Sequence, residues 1–293
     1  MKNAEDLTIG IVGLGLMGGA FAMALRDCGA APRGHLLACD SDDGPLAQAL
    51  AAGVIDQGFT ESPNMLKRCD LVFLCLNPST LLRFMKDHMG DFKEGALITD
   101  IAGSKAGICA AMEQTLRPDL DFIPGHPMAG AEKGGFANAG LCNFKGKNYI
   151  LTPLKRNRPE NLDFIKALIR RMGFGRITET TAQEHDQKIA FTSQLCHVIA
   201  AALIGCTEDP EITRFGGGSF EDLTRIAMLN VPMWSEIFLE NRVELVKRIE
   251  QFEQTLDKLK SLIEKEDAPA LREMLSLVRD RRAAMRDVQQ QGS

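Results

Sequence analysis

Five histidines occur in the 293 residues, and three of them stand where residue type and surroundings could do chemistry. His126 lies between Gly125 and Pro127, just after the apolar run Asp121-Phe122-Ile123. An imidazole of near-neutral pKa in such a place suits removal of a hydroxyl proton while hydride leaves the same carbon. His185 and His197 fall in one helical stretch, where Asp186, Ser193 and His197 are spaced by 7 and 4 and so share a stripe. A polar stripe in an otherwise apolar helix lines a cavity or an interface; satisfied buried polar groups are the plainer alternative. Arg225 stands three residues after Asp222, on a helix that follows Gly216-Gly217-Gly218. It is either an ordinary ion-pair member or a bidentate clamp for a small carboxylate. No histidine and cysteine spacing resembles a zinc ligand set, so no metal is expected.

These side chains need a scaffold, and the scaffold begins at Ile9-Gly10-Ile11-Val12, an apolar run that breaks into Gly13-x-Gly15-x-x-Gly18. Such glycines make a tight turn, admit a pyrophosphate and let a helix pack on a strand. The helix that follows offers free N–H groups to phosphate. About twenty residues on, a second strand ends at Asp40, the place of a carboxylate that accepts from ribose hydroxyls. Ser41-Asp42-Asp43 adds negative charge and no arginine, which favours NAD over NADP. The cofactor contacts expected are Gly13, Gly15, Leu16, Met17, Gly18 and Asp40, with Asn77 and Asp100 near the ends of later strands.

Strand and helix patterns alternate through the first part of the chain, including Asp70–Leu76, Ala96–Asp100 and Asn148–Thr152. That alternation predicts a doubly wound, Rossmann-type α/β domain over residues 1–180. Asn77, Ser104 and His126 all follow strands at the carboxyl edge, where ligands collect. His126 itself reads as part of a loop, Pro124–Gly130. From Ala182 onward only helical periodicity remains. Leu245, Ile249, Phe252, Leu256, Leu259 and Ile263 step by 4 and 3, a seam that needs a partner helix. Residues 181–293 are therefore expected to form an all-α domain that binds substrate and dimerises.

Composition narrows the classes. Hydrophobic residues at 45% and charged residues at 25% are those of a globular protein. A net charge of -5 gives no footprint for nucleic acid. No run of 18 or so apolar residues is read as a membrane span, and the polar start Met1–Asp6 does not read as a signal peptide. The eight cysteines form no C-x-x-C pair and fall mostly in apolar elements, which suits free thiols in a reducing cytoplasm.

Taken in order, the motifs resemble the TyrA-type prephenate/arogenate dehydrogenase family over residues 7 to 245. They are Gly13–Gly19, Thr99–Lys105, His126–Glu132, Glu184–Asp186 with Ser193–His197, and Phe220–Ala227 with Trp234 and Asn241. The resemblance implies that prephenate, or its amino analogue arogenate, loses hydride and CO2 together, giving 4-hydroxyphenylpyruvate or tyrosine. It implies that His126 accepts the ring-hydroxyl proton, Ser104 holds that hydroxyl and Arg225 binds a substrate carboxylate. His197 and Ser193 would line the pocket, with Glu132, Asp186 and Asp222 in a supporting ionic network. The family often shows Asp-x-Gly-Ser-x-Lys, whereas Ser104 here directly precedes Lys105, and Cys196 stands where proline is common. Two other readings compete. A β-hydroxyacid dehydrogenase would share the glycine loop, yet Lys188 lacks that family's surrounding motif. A non-catalytic NAD-sensing dimer would have no use for His126, His197 and Arg225 together.

Overall fold

The computed structural model describes residues 7–131 and 133–290. Six short strands, β1 (Ile9–Val12), β2 (Leu36–Cys39), β3 (Gln57–Phe59), β4 (Leu71–Leu74), β5 (Leu97–Asp100) and β6 (Asp121–Ile123), form one parallel sheet. Its order is β3-β2-β1-β4-β5-β6, with Ile9 opposite Leu36 on one side and Leu71 on the other. Strand order reverses between β1 and β4, and a crevice opens at such a switch point beyond the carboxyl ends. Both faces of β1, β2, β4 and β5 are buried, which is why these strands read as unbroken apolar runs. The helices that cover them are α1 (Leu16–Asp27), α2 (Asp43–Ala51), α3 (Pro63–Leu66), α4 (Pro78–His88) and α5 (Ala106–Thr115).

A second sheet of three strands follows: β7 (Gly125–Pro127), β8 (Asn148–Leu151) and, after α6 (Pro159–Arg171), β9 (Arg176–Glu179). Strand β7 runs antiparallel to β8, with His126 opposite Ile150. Gly125–Pro127, inside the segment read from sequence as a loop, is therefore a strand. Three residues are too few to show period-2 alternation, so the pattern carried no sign of it. Aromatic rings weld the two sheets together. Phe21 of α1 sits 5.4 Å from Phe73 and 5.1 Å from Phe144, while Tyr149 meets Phe174 edge-on at 5.0 Å. Each such pair contributes about 0.5–1.5 kcal/mol beyond the area it buries.

Beyond Glu179 the chain is helical among the described residues. Thr181 caps α7 (Ala182–Ile189) by accepting from the Glu184 N–H at 3.1 Å. A π-helical turn, Ala190–Gln194, then leads into α8 (Leu195–Gly205). The continuous run Ala182–Gly205, with a mean hydropathy of 1.4 in its most apolar window, is long and apolar enough to cross a membrane by length and composition. Lys188, Thr192, Ser193, Gln194 and His197 interrupt it, so it is not an unbroken apolar run. Then come α9 (Gly218–Thr224), α10 (Val231–Glu240), α11 (Arg242–Glu264) and α12 (Ala268–Gln290). The seam on α11 begins buried at Leu245 and emerges further along, with Leu256 52% and Ile263 62% exposed.

Candidate active site

Two clefts meet at the carboxyl edge of the large sheet. The first, of about 760 Å³, is lined by Gly13, Gly15, Asp40, Asn77, Thr80 and Arg83 among others. Two of the three glycines of its loop cannot carry side chains. Gly13 has φ +88°, and a β-carbon there would stand 2.5 Å from the Cys75 carbonyl oxygen. A β-carbon on Gly18 would collide with the Gly13 carbonyl oxygen, whereas the space before Gly15 is open. Backbone N–H groups of the first turn of α1 have no intrahelical partner. This floor fits a dinucleotide pyrophosphate at a helix N-terminus. Asp40 accepts from Leu14 N–H at 2.6 Å and from Asp42 N–H at 3.0 Å, which fixes the loop. A carboxylate has about four lone-pair sites, so capacity remains for ribose hydroxyls.

The second cleft, of about 410 Å³, lies between the domains, with Leu16 and Met17 of α1 on one wall and His126 at its base. Ser193, Gln194 and His197 come from the π turn and α8, and Trp234 and Ile237 from α10. The indole of Trp234 stacks on the His197 ring at 3.6 Å between centroids. From the sequence Trp234 entered only as part of the motifs that carry the family resemblance, with no role in the pocket. The π turn adds a residue to the helical register, so Gln194, fully buried, joins Ser193 in the wall. A stripe drawn at 3.6 residues per turn omits it. Its Oε1 accepts from Asn241 Nδ2 at 2.9 Å, and the same Nδ2 donates to the Asp186 carbonyl oxygen at 2.8 Å.

A polar network lies behind His126. Its Nδ1 is 2.9 Å from Nε2 of His185, and Nδ1 of His185 is 2.7 Å from Oδ1 of Asp186. Asp186 in turn accepts from the backbone N–H groups of Lys105 and Ala106, at 2.8 Å each, at the start of α5. Burial, then the neighbouring His185 and then Lys105 hold the His126 pKa well below its ordinary 6.5. His185 is lowered by burial against the opposing pull of Asp186. Burial also lowers His197, to which the Arg225 charge adds while the Ser193 carbonyl oxygen opposes. The base of the pocket is thus set up to hold neutral imidazoles at neutral pH.

Other expected residues fall elsewhere. Asp100, expected at the cofactor, lines neither cleft and is wholly buried. It pairs with Lys105 Nζ at 2.5 Å and accepts from Ala102 N–H at 2.9 Å and Gly125 N–H at 3.0 Å, so its lone pairs serve the fold. Ser104, expected to hold the substrate hydroxyl, is buried and outside the pocket lining. Gly103 faces the site instead: a β-carbon there would lie 3.9 Å from His126 Nε2. The turn after β5 is tight, and a shift of one residue turns a side chain from the pocket to the interior. Arg225 and Asp222 are exposed beside the pocket mouth, whose lining continues through Ile226 and Met228. Glu132 lies outside the described residues.

A Rossmann-type domain with this glycine floor, and a histidine-based pocket opening beside it, define an NAD-dependent dehydrogenase. The family model for the nucleotide-binding domain of prephenate dehydrogenase matches residues 21–178, and that for its dimerization domain matches residues 181–277. The chain belongs to the prephenate dehydrogenase family. It is 30% identical to the prephenate dehydrogenase of Bacillus subtilis over 289 residues, covering 96% of this chain and 76% of the relative. It is 31% identical to the cyclohexadienyl dehydrogenase of Zymomonas mobilis over 273 residues, covering 90% and 91%. The prephenate dehydrogenase of Aquifex aeolicus, solved with hydroxyphenyl propionate and NAD+, superposes with a TM-score of 0.84 at 32% identity, covering 94% of this chain and 97% of that one.

Proposed function

We propose that this chain oxidatively decarboxylates prephenate to 4-hydroxyphenylpyruvate, with His126 as the group that takes the ring-hydroxyl proton. The observation that carries this reading is a neutral imidazole at the base of a pocket walled by the cofactor loop on one side and the His197–Trp234 stack on the other. NAD, when bound, supplies the hydride acceptor. Gly13, Gly15, Leu16, Met17, Gly18, Asp40 and Asn77 would hold it. Loss of a proton from the hydroxyl raises electron density on the carbon that gives up hydride, and loss of CO2 makes the ring aromatic. The protein therefore has mainly to orient the ring and accept one proton. Ser193 and His197 would contact the substrate, and Arg225 would bind one of its carboxylates from the pocket mouth. Asp186 supports His126 from behind, with Glu132 and Asp222 assigned to the supporting ionic network.

The functional units are residues 1–180 for the cofactor and 181–293 for substrate and dimer contacts. A homodimer through the C-terminal helices accounts for the apolar surface left open on one chain, including Leu203, Leu256, Ile263 and Leu275. Of the most apolar window in Ala182–Gly205, 28% is buried within the chain, and a second copy covers the remainder more economically than lipid, because the same helix carries Asp186 and His197. The reading places the enzyme in the cytoplasm.

The test is NADH formation by the purified protein with prephenate and arogenate offered separately. Turnover of prephenate well above arogenate is the expected result. Comparable turnover of both would make it a broad cyclohexadienyl dehydrogenase, a reading favoured by the Zymomonas relative. Turnover of neither, with NAD still bound, would overturn the proposal.

A further inference from the structure

The line of contacts from the start of α5 to the pocket has a direction that hydrogen-bond valence decides. Asp186 sits against the N-terminal backbone of α5, where its carboxylate accepts two backbone N–H groups and faces the positive end of the helix. An ionised carboxylate only accepts. The ring nitrogen 2.7 Å from it, Nδ1 of His185, must therefore carry the proton. His185 is about 1% exposed, and burial favours its neutral form, so its other nitrogen, Nε2, has a lone pair and no hydrogen. The atom 2.9 Å from that lone pair is Nδ1 of His126. It must donate. With one proton per neutral ring, Nε2 of His126 is then left bare, and Nε2 is the atom beside Gly103 in the pocket.

We infer that His185 is a positioning residue: it relays the fixed polarity of Asp186 to His126 and locks His126 in the Nδ1–H tautomer, with its proton-accepting nitrogen turned to the substrate. The inference rests on His126 being the base. In the opposite tautomer Nε2 would present a hydrogen to the substrate hydroxyl and could not take its proton. The other charged groups packed on this line are Lys105 and Asp100, which pair with each other and leave the chain of donors and acceptors unchanged. An Asp–His arrangement that sets a tautomer in this way is worth about 10⁴-fold in turnover in the serine protease triad.

The direct test uses the wild-type protein with NAD, labelled with 15N in histidine, and reads the ring nitrogens of His126 by two-bond proton–nitrogen correlation; His126→Asn assigns the signals. A pyrrole-type Nδ1 and a pyridine-type Nε2 are expected at about pH 7.5, above the ordinary histidine pKa of about 6.5. The reverse pattern, or an even mixture, would overturn the inference. A second arm measures His185→Phe, which keeps a ring of similar size and removes the acceptor. A fall in kcat of about 100-fold or more is expected, with NAD affinity held within about two-fold. A folded, NAD-binding His185→Phe protein with kcat within two-fold of wild type would also overturn it. The tautomer measurement needs no substrate, so it separates failure of this inference from failure of the prephenate reading.

Discussion

Nζ of Lys105 and Oδ2 of Asp100 are 2.5 Å apart, and neither side chain reaches solvent. The pair spans the turn from the end of β5 to the start of α5, and Asp100 also accepts from Gly125 N–H, the first residue of the strand that carries His126. Removing one partner strands a buried charge, whereas removing both leaves only lost packing and hydrogen bonds. Lys105→Met is therefore expected to cost about 3–5 kcal/mol of folding stability, read by denaturant unfolding. The double variant Lys105→Met with Asp100→Asn should recover part of that loss. A single variant as stable as wild type would show that the pair is not what holds this turn.

The histidines of the pocket give a pH dependence whose sign is fixed. His126, His185 and His197 are all held below their ordinary 6.5 by burial. Activity needs neutral His126, so kcat/KM for prephenate should persist as pH falls through 6.5 and decline only below it. In the unfolded chain the same groups take up protons near 6.5, earlier than in the folded protein. Their contribution to stability is thus fully present above that pH and is lost progressively as pH falls further. Matched profiles of kcat/KM and of the denaturation midpoint between about pH 5 and 8 test both statements. An acid limb of kcat/KM lying above 6.5 would contradict the first.

What could be read from sequence was what residue type forces locally. Gly13 needs φ +88° and Gly18 tolerates no β-carbon, so the nucleotide loop announces itself in its spacing. The apolar runs of β1, β4 and β5 are equally plain because both faces are buried. The substrate side was less legible, because it depends on geometry that spacing does not encode. Asp100 ends a strand as a ligand-binding carboxylate would, but Lys105, five residues on, folds back to claim it. His185 and Asp186 are adjacent in sequence, where side chains on a regular helix do not face each other. Their contact across 2.7 Å therefore had no sign in the periodicity. The π turn that brings Gln194 into the wall is an insertion in register, not a pattern.

The turn after β5 offers a sharper test. A β-carbon at Gly103 would meet Ile237 Cδ1 at 3.6 Å and His126 Nε2 at 3.9 Å, which is ordinary van der Waals contact. Gly103→Ser therefore fits, and its hydroxyl would reach the space where the substrate hydroxyl meets His126. Stability should change by less than about 1 kcal/mol, and KM for prephenate should fall several-fold, about the effect of one added hydrogen bond. Ser104→Ala, buried outside the pocket, should leave KM within two-fold. Steady-state kinetics of the two variants separate the positions. A large KM effect at Ser104 with none at Gly103 would restore Ser104 as the substrate contact.

The two clefts are joined by one helix. Oε1 of Glu236 accepts from the Ser79 N–H at 2.6 Å, so a carboxylate from α10 caps the N-terminus of α4. On α10, Trp234 two residues before Glu236 and Ile237 next after it wall the substrate pocket; at the start of α4, Asn77 and Thr80 line the cofactor cleft. A carboxylate at a helix N-terminus is worth about 0.3–1 kcal/mol when exposed, as this contact is. Filling one cleft should therefore favour the other through this contact by a factor of about 2–5, the same energy expressed as a ratio. The measurement is the affinity for 4-hydroxyphenylpyruvate, the proposed product, with and without saturating NAD, in wild type and in Glu236→Ala. Wild type should bind the aryl acid more tightly with NAD present, and the variant should lose most of that difference while keeping its affinity for each ligand alone. Equal coupling in both proteins would mean that the clefts communicate by another route, through Leu16 and Met17 at the pocket wall.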